Sequence, residues 1–342
     1  MGVDLVDIVP AKSIMLDDLA GKVLAVDAYN ALYQFLAIIR QPDGTPLKDR
    51  QGRVTSHLSG LLYRTTNLVE KGIRLAFVFD GRPPEMKEME IHRRRQIKQE
   101  ATVRYEQALK AGKIEEARVY AQATSSLKET MVKDAKRLLG ALGITWIQAP
   151  SEGEAQAAFM AARGDVWAVA SQDHDSLLFG APRMVKNLAI TGRRKLPRRD
   201  AYVEIQPEIV ELSKTLQGLS LTREQLVDVG ILIGTDFNPD GAKGIGPKTA
   251  VKLIHEHGSL EELVQRKPEI NFSSDFRGIR KIFLDPNVTS DYSLQWFKPD
   301  EKKIIAFLCS EHDFSEDRVR KAISRMIVGP PKASTTLESY FG

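Results

Sequence analysis

Residues 23–32, VLAVDAYNAL, run from an apolar stretch straight into an aspartate and then into a helical pattern. The same order returns in residues 75–81 (LAFVFDG), 146–155 (WIQAPSEGEA) and 166–180 (VWAVASQDHDSLLFG). The apolar runs Val23–Val26, Leu75–Phe79, Thr145–Ile147 and Val166–Ala170 have the length of strands, and long helical patterns separate them. Continuous apolar runs alternating with helices predict strands buried on both faces. The expected fold is therefore α/β, a mostly parallel central sheet flanked by helices on both faces.

Each run ends in acid: Asp27, Asp80, Glu152 with Glu154, and Asp173 with Asp175. Asp236, in GTDFNPDG at residues 234–241, follows a helical pattern and is expected to join them. Taken singly, each acid serves as well as a helix N-cap or a turn residue after a strand. Capping does not explain why all of them fall at the carboxyl ends of strands, where an open parallel sheet binds ligands. Carboxylates packed together repel and cannot all stay ionised without counter-cations. An all-oxygen site favours Mg²⁺, with Mn²⁺ able to substitute, and more acids than one ion needs predicts two ions. Ions paired about 4 Å apart are the device for in-line attack on a phosphodiester. Lys87 and Arg94 are seven residues apart, on one helix face, where they can neutralise charge building on a scissile phosphate. Solvated helix charges fit that spacing equally well.

Composition narrows the classes. The chain has 342 residues, 42% of them hydrophobic, enough for a sizeable core. Cys309 is the single cysteine, which excludes an intrachain disulfide and a thiolate zinc site, and the six histidines form no helical pair. No run approaches a membrane span and the start lacks a secretory pattern, so an intracellular, cytoplasmic protein is expected. No apolar heptad argues for self-association, and a monomer is expected. The net charge of +4 conceals two basic runs, Arg93–Arg95 and Arg193, Arg194, Lys195, Arg198, Arg199, suited to phosphate backbones or simply to solubility.

Glu85 to Leu142 is rich in helix formers and lacks proline; residues 86–112 are too polar to bury a broad face, so they are expected to project from the core and break near Gly112. Residues 188–205, LAITGRRKLPRRDAYVEI, read as two strands around a basic turn. Thr222 to His257 is helical around a glycine-rich loop, GAKGIGPKTAVKLI at 241–254. There Gly244, Gly246 and Ala250 predict a tight turn opening a helix, with free N–H groups for a DNA phosphate. The flanking helices, residues 226–256, read as a helix-hairpin-helix that grips duplex DNA without reading sequence. Tyr33 is a candidate for stacking on a base, or a core aromatic. Residues 331–342 read as a flexible tail.

Gly2 together with VDAYNALYQFL (26–36), FVFDGRPPEMK (77–87), APSEGEAQAA (149–158), SQDHDSLLFG (171–180) and GTDFNPDGAKGIGPKTA (234–250) resembles, in order, the motifs of the structure-specific 5′ nucleases. The short connection between the motif-bearing halves is similar to that of the flap endonucleases. The resemblance implies a structure-specific 5′ flap endonuclease, with accompanying 5′–3′ exonuclease activity, in DNA replication and repair. It implies a nuclease domain over 1–330, with an N-terminal region at 1–105, a helical arch near 85–125 and an internal region at 120–260. Asp27, Asp80, Glu152, Glu154, Asp173, Asp175 and Asp236 match the family's metal-site acids, Lys87 and Arg94 its catalytic basic residues, Tyr33 its stacking aromatic and Arg40 a DNA-contacting arginine. The Gly244–Gly246 loop matches a helix-hairpin-helix that also binds K⁺. In STTLESYFG (334–342), Leu337, Tyr340 and Phe341 match the anchors of a sliding-clamp-binding peptide; Ser334 stands where glutamine is usual. The ending is similar to archaeal members. Two alternatives are a sibling exonuclease or junction resolvase and a non-catalytic, clamp-tethered DNA-binding protein.

Overall fold

In the computed structural model the described residues are 2–41, 43–113, 116–117, 119–120, 126–190, 192–195, 202–270, 272 and 275–328. The expected clamp peptide, with Ser334, Leu337, Tyr340 and Phe341, lies outside them, as do Arg198, Arg199 and part of the expected arch.

The chain enters through a short strand β1 (Ala11–Ser13) and reaches β2 (Val23–Asp27), which feeds α1 (Ala28–Ile38) and α2 (Ser56–Glu70). After β3 (Arg74–Phe79) comes the long, polar α3 (Glu88–Lys110), which stops two residues before Gly112, at φ +68°. Then follow α4 (Glu129–Ala141), β4 (Thr145–Gln148), α5 (Gly153–Ala162), β5 (Ala168–Ala170), α6 (Asp175–Leu178) and β6 (Arg183–Lys186). A two-stranded antiparallel hairpin, β7 (Gly192–Lys195) with β8 (Tyr202–Ile205), precedes β9 (Glu208–Glu211) and α7 (Leu212–Leu219). Among the described residues the α-helices that follow are α8 (Arg223–Ile233), α9 (Pro247–His257), α10 (Leu260–Arg266), α11 (Phe276–Leu284), α12 (Glu301–Ile305), which runs into a π-helix at Ala306–Glu311, and α13 (Glu316–Val328).

The main sheet has seven strands in the order β1-β9-β6-β5-β2-β3-β4. Five contiguous strands, β6-β5-β2-β3-β4, are parallel, with β4 at one edge, and β9 and β1 add antiparallel pairings at the other. From β2 the chain winds outward through β3 and β4, then returns to β5 on the other side. The strand order therefore reverses between β2 and β5, the place where a crevice opens at the carboxyl edge. The four strands expected from sequence are all present, but Val166 and Trp167 fall before β5, although the Trp167 N–H already donates to Val23 O at 2.7 Å. Strands β1, β6 and β9 were not anticipated, because AKS, RMVK and EIVE are too short and too polar to stand out as apolar runs.

Alternation along the strands sorts the interior into two cores. Leu24 and Val26 of β2 and Leu75, Phe77 and Phe79 of β3 face α1, α2, α4, α12 and α13. Ala25, Ala76 and Val78 face the other way, with Ala155, Ala157, Ala158 and Ala161 of α5. Small residues on both sides bring α5 close to β2, β3 and β5. On the opposite face the large side chains each contribute about 2 kcal/mol of burial. Helices α1 and α2 cross closely as well: a Cβ on Gly60 would lie 2.3 Å from Phe35 Cγ. Among the described residues no helix is long and apolar enough to cross a membrane.

Buried in α2, His57 is 1% exposed, and neither ring nitrogen has a hydrogen-bond partner among the described residues. Burial, helped by the nearby His312, pushes its pKa down to about 4. A depressed histidine contributes stability that is whole above pH 6.5, the value in an unfolded chain, and is lost as pH falls from there towards about 4. The loss attributable to His57 is on the order of 3 kcal/mol. In urea titrations from pH 7.5 to 4, His57→Leu is expected to gain stability relative to the wild type as pH falls; a difference independent of pH contradicts this.

Candidate active site

Asp27 is the last residue of β2 and the N-cap of α1, its Oδ1 accepting the Asn30 N–H at 3.0 Å. The Asn30 side chain then donates to Asp173 Oδ2 at 3.2 Å. One asparagine thus ties acids from β2 and β5, the strands on either side of the reversal. Asp80, just past β3, accepts the Gly153 N–H at 2.7 Å, and a Cβ on Gly153 would meet that carboxylate oxygen at the same distance. Glu152 is the N-cap of α5 and Glu154 lies in its first turn, where the helix dipole favours negative charge. The two diverge: Glu154 accepts from Ser171 Oγ at 2.6 Å, and Glu152 pairs with Lys87. The Asp175 carboxylate accepts the Val3 N–H at 2.7 Å. Asp236 follows α8 in a turn held by Asn238, which accepts from Thr235 Oγ1 at 2.7 Å and donates to Ile231 O at 2.7 Å.

Two cations stand among these acids. Lys87 Nζ contacts Glu152 and lies 3.3 Å from Asp236, and Arg94 Nη2 reaches Asp236 Oδ1 at 2.5 Å while its Nε donates to Glu90 at 2.7 Å. Sequence spacing placed Lys87 and Arg94 on one helix. In fact Lys87 closes a 3₁₀ turn, its N–H bonded to Pro84 O at 3.0 Å, and α3 begins one residue later. The tight turn after Pro83 and Pro84 causes this, and both cations nevertheless converge on Asp236.

Burial sets the electrostatics. It pushes Asp27 well above the usual carboxylate range, with Asp80 adding repulsion, and does the same to Glu154, with Asp27 and Asp175 adding theirs. Asp175 is raised to about 7 by burial and by Asp236. Asp80 and Glu152 are raised by burial although Lys87 opposes it. Burial alone would lower Lys87, but Glu152 and Asp236 outweigh it and hold the ammonium charged. Among the described residues no three of the acids form a ready-made ligand shell for one ion. The donor chemistry nonetheless fits a hard divalent cation: every candidate ligand is oxygen, and buried carboxylates that raise one another's pKa lack positive charge.

Other expected residues lie further out. Tyr33, 40% exposed, stands two turns along α1 from Asp27, and Lys98 Nζ of α3 sits 5.5 Å above its ring. Arg40 lies past the far end of α1, roughly 16 Å along the helix axis; its guanidinium donates to Gly44 O at 2.9 Å, and the structure does not bring it to the acids. Gly244, at φ +78°, turns the chain into Gly246, the N-cap of α9, with Pro247 at the first helical position. Gly246 offers no side chain to cap the first-turn N–H groups. Gly2 packs on Asp175. Sequence reasoning missed Asn30, Glu90 and Ser171. Asn30, three residues after an N-cap candidate, and Glu90, four residues before Arg94 on one helix, carried local signals; Ser171 carried none.

Comparison with known proteins agrees with this geometry. The XPG N-terminal domain family matches residues 3–101 and the XPG I-region family residues 143–236. Flap endonuclease 1 of Hyperthermus butylicus is 60% identical over 95% of this chain and 94% of its own length, and that of Staphylothermus marinus 55% identical over 96% and 95%. The solved flap endonuclease-1 of Methanococcus jannaschii superposes with a TM-score of 0.76 at 42% identity, covering 95% of this chain and 98% of its own.

If Glu152 and Asp236 hold a divalent ion, Lys87, which contacts both, competes with it. The Lys87 side chain is 15% exposed against 12% for Glu152 and 10% for Asp236, so Lys87→Met leaves the nearly buried Glu152 without its cation and Asp236 without one of its two, a loss of about 3 kcal/mol. In melts with EDTA the variant is expected to unfold below the wild type, and added Mn²⁺ to raise its midpoint more than it raises the wild type's. An equal gain in both proteins would refute the competition.

Proposed function

The chain belongs to the flap endonuclease 1 family, and from that premise we propose how its own residues cut a DNA phosphodiester at the base of a 5′ flap. The observation that carries the reading is the gathering of acids from both halves of the chain at the strand-order reversal, with Lys87 and Arg94 set among them. Asp27, Asp80, Glu152, Glu154, Asp173, Asp175 and Asp236 would hold two Mg²⁺ ions, for which Mn²⁺ can substitute. Bound there, the ions would supply activation of the attacking water and charge stabilisation at the leaving oxygen.

The protein's part is position and charge. Lys87 and Arg94 pair with Glu152 and Asp236 in the DNA-free chain, and turning to a scissile phosphate would let them stabilise the charge that builds on its oxygens. Each is held by two carboxylates, but Arg94 is the more accessible, its side chain 44% exposed against 15% for Lys87. Tyr33 offers a partly exposed ring beside α3 for the base next to the cut, once Lys98 yields that face. Arg40 and Gly2 are assigned to the DNA-contacting surface.

Farther from the chemistry, α8 and α9 pack together around the Gly234–Gly246 loop, which supports a helix-hairpin-helix. The open N–H groups at Gly246 would take a backbone phosphate, with K⁺ as a shared counter-ion at that turn. Backbone grips of this kind read shape, not sequence. Helix α3 and the segment after it would form the arch over a threaded flap, and the tail around Leu337, Tyr340 and Phe341 would tether a monomeric enzyme to a sliding clamp. On this reading the protein would act inside the cell, in flap removal during replication and repair, with accompanying 5′–3′ exonuclease action.

End-labelled 5′-flap, nicked, four-way-junction and single-stranded DNA, incubated with the wild type or Asp173→Ala in Mg²⁺ or EDTA, tests the reading. Incision is expected at the flap base only with both metal and Asp173, the variant losing at least about a thousandfold in rate. Preference for the junction or nick moves the protein to a sibling activity, and tight binding without cutting overturns the catalytic reading.

A further inference from the structure

Asp175 is gripped from the very start of the chain. The Val3 N–H donates to its Oδ1 at 2.7 Å, and Gly2 lies so close that a Cβ there would come within 2.6 Å of the carboxylate. Val3 is itself held by its carbonyl: His174 Nδ1 lies 3.4 Å from Val3 O, and Lys186 Nζ lies 3.2 Å from His174 Nε2. Both Val3 and His174 are buried, at 2% and 4% exposure. An ammonium can only donate, so Nε2 is the acceptor. The ring proton therefore sits on Nδ1, facing a carbonyl that can only accept. Each group in the chain Lys186, His174, Val3, Asp175 thus fixes the next. β6 supplies the outer anchor and the N-terminal segment the final hydrogen bond.

We propose that His174 and Lys186 are positioning residues that lock the N-terminal segment and, through the Val3 N–H, orient Asp175 for a divalent cation. A bond to one carboxylate oxygen leaves the other free to face the site, and such outer hydrogen bonds govern how well a ligand binds its ion. The inference rests on the proposed function in one respect, that Asp175 is a metal ligand.

A bland role for His174, filling space beside Val3, is separable by chemistry. Leucine keeps apolar bulk without a donor. The asparagine Nδ2 stands close to where the imidazole Nδ1–H was.

Mn²⁺ binding, measured by calorimetry without DNA, is compared for the wild type, Asp175→Asn, His174→Leu, His174→Asn and Lys186→Met, with amide exchange followed in residues 2–9 and folding checked by circular dichroism. His174→Leu and Lys186→Met are expected to bind Mn²⁺ on the order of tenfold more weakly and to exchange the N-terminal amides faster, and His174→Asn to restore both. Should His174→Leu fail to fold, Lys186→Met decides. If Asp175→Asn weakens binding while these variants match the wild type, or if asparagine restores nothing, the positioning role is wrong and the metal reading stands. Asp175→Asn binding as well as the wild type removes Asp175 from the metal site, and this inference falls with it.

Discussion

Mutual repulsion among carboxylates is the constraint that shapes this protein. A parallel sheet brings the ends of its strands to one edge, and here those ends are acidic, so the fold that creates the site also loads it with like charge. The structure answers with local donors and cations: the N–H groups of Asn30, Gly153 and Val3 on Asp27, Asp80 and Asp175, and Lys87 and Arg94 beside Glu152 and Asp236. These contacts relieve part of the strain. Burial still drives Asp27 and Glu154 upward, a mark of a site prepared for positive charge that the polypeptide does not fully supply.

Small residues make the edge rigid. Helix α5 lies against Ala25 and Ala76 with alanines of its own, and its N-terminus delivers Glu152 and Glu154 at a fixed height above the sheet. An alanine interface has few rotamers to exchange and little volume to collapse, so the two carboxylates inherit the precision of the sheet itself. On the opposite face, where Leu24, Leu75, Phe77 and Phe79 lie, bulk supplies most of the apolar stabilisation.

Much of this was readable from sequence because strand ends announce themselves. An apolar run followed by acid identifies both the strand and the edge at which its acid sits, and Asp27, Asp80 and Asp173 were legible on that basis. Strands β1, β6 and β9 were not, since a strand of three or four residues with polar ends has no period to detect. Lys87 was assigned to a helix it only precedes, because spacing cannot tell the last residue of a 3₁₀ turn from the first turn of an α-helix. The Asn30 side chain reaches Asp173, and His174 reaches Val3, across more than a hundred residues of chain, while Ser171 meets a helix start turning back on a strand. No local pattern encodes that adjacency.

The order in which the strands are laid down has a consequence for biosynthesis. Strand β2 emerges early but finds its second neighbour, β5, only after residue 168 has been made, and Asp236 comes later still. A ribosome-bound fragment can pair β2 with β3, yet it holds only part of the acidic edge, without the acids of β5 or the turn after α8. Such a fragment therefore lacks the full set of acids that the finished sheet gathers. The acidic edge is thereby completed only when the chain is long enough to fold as a whole, because the sheet winds outward before it winds back.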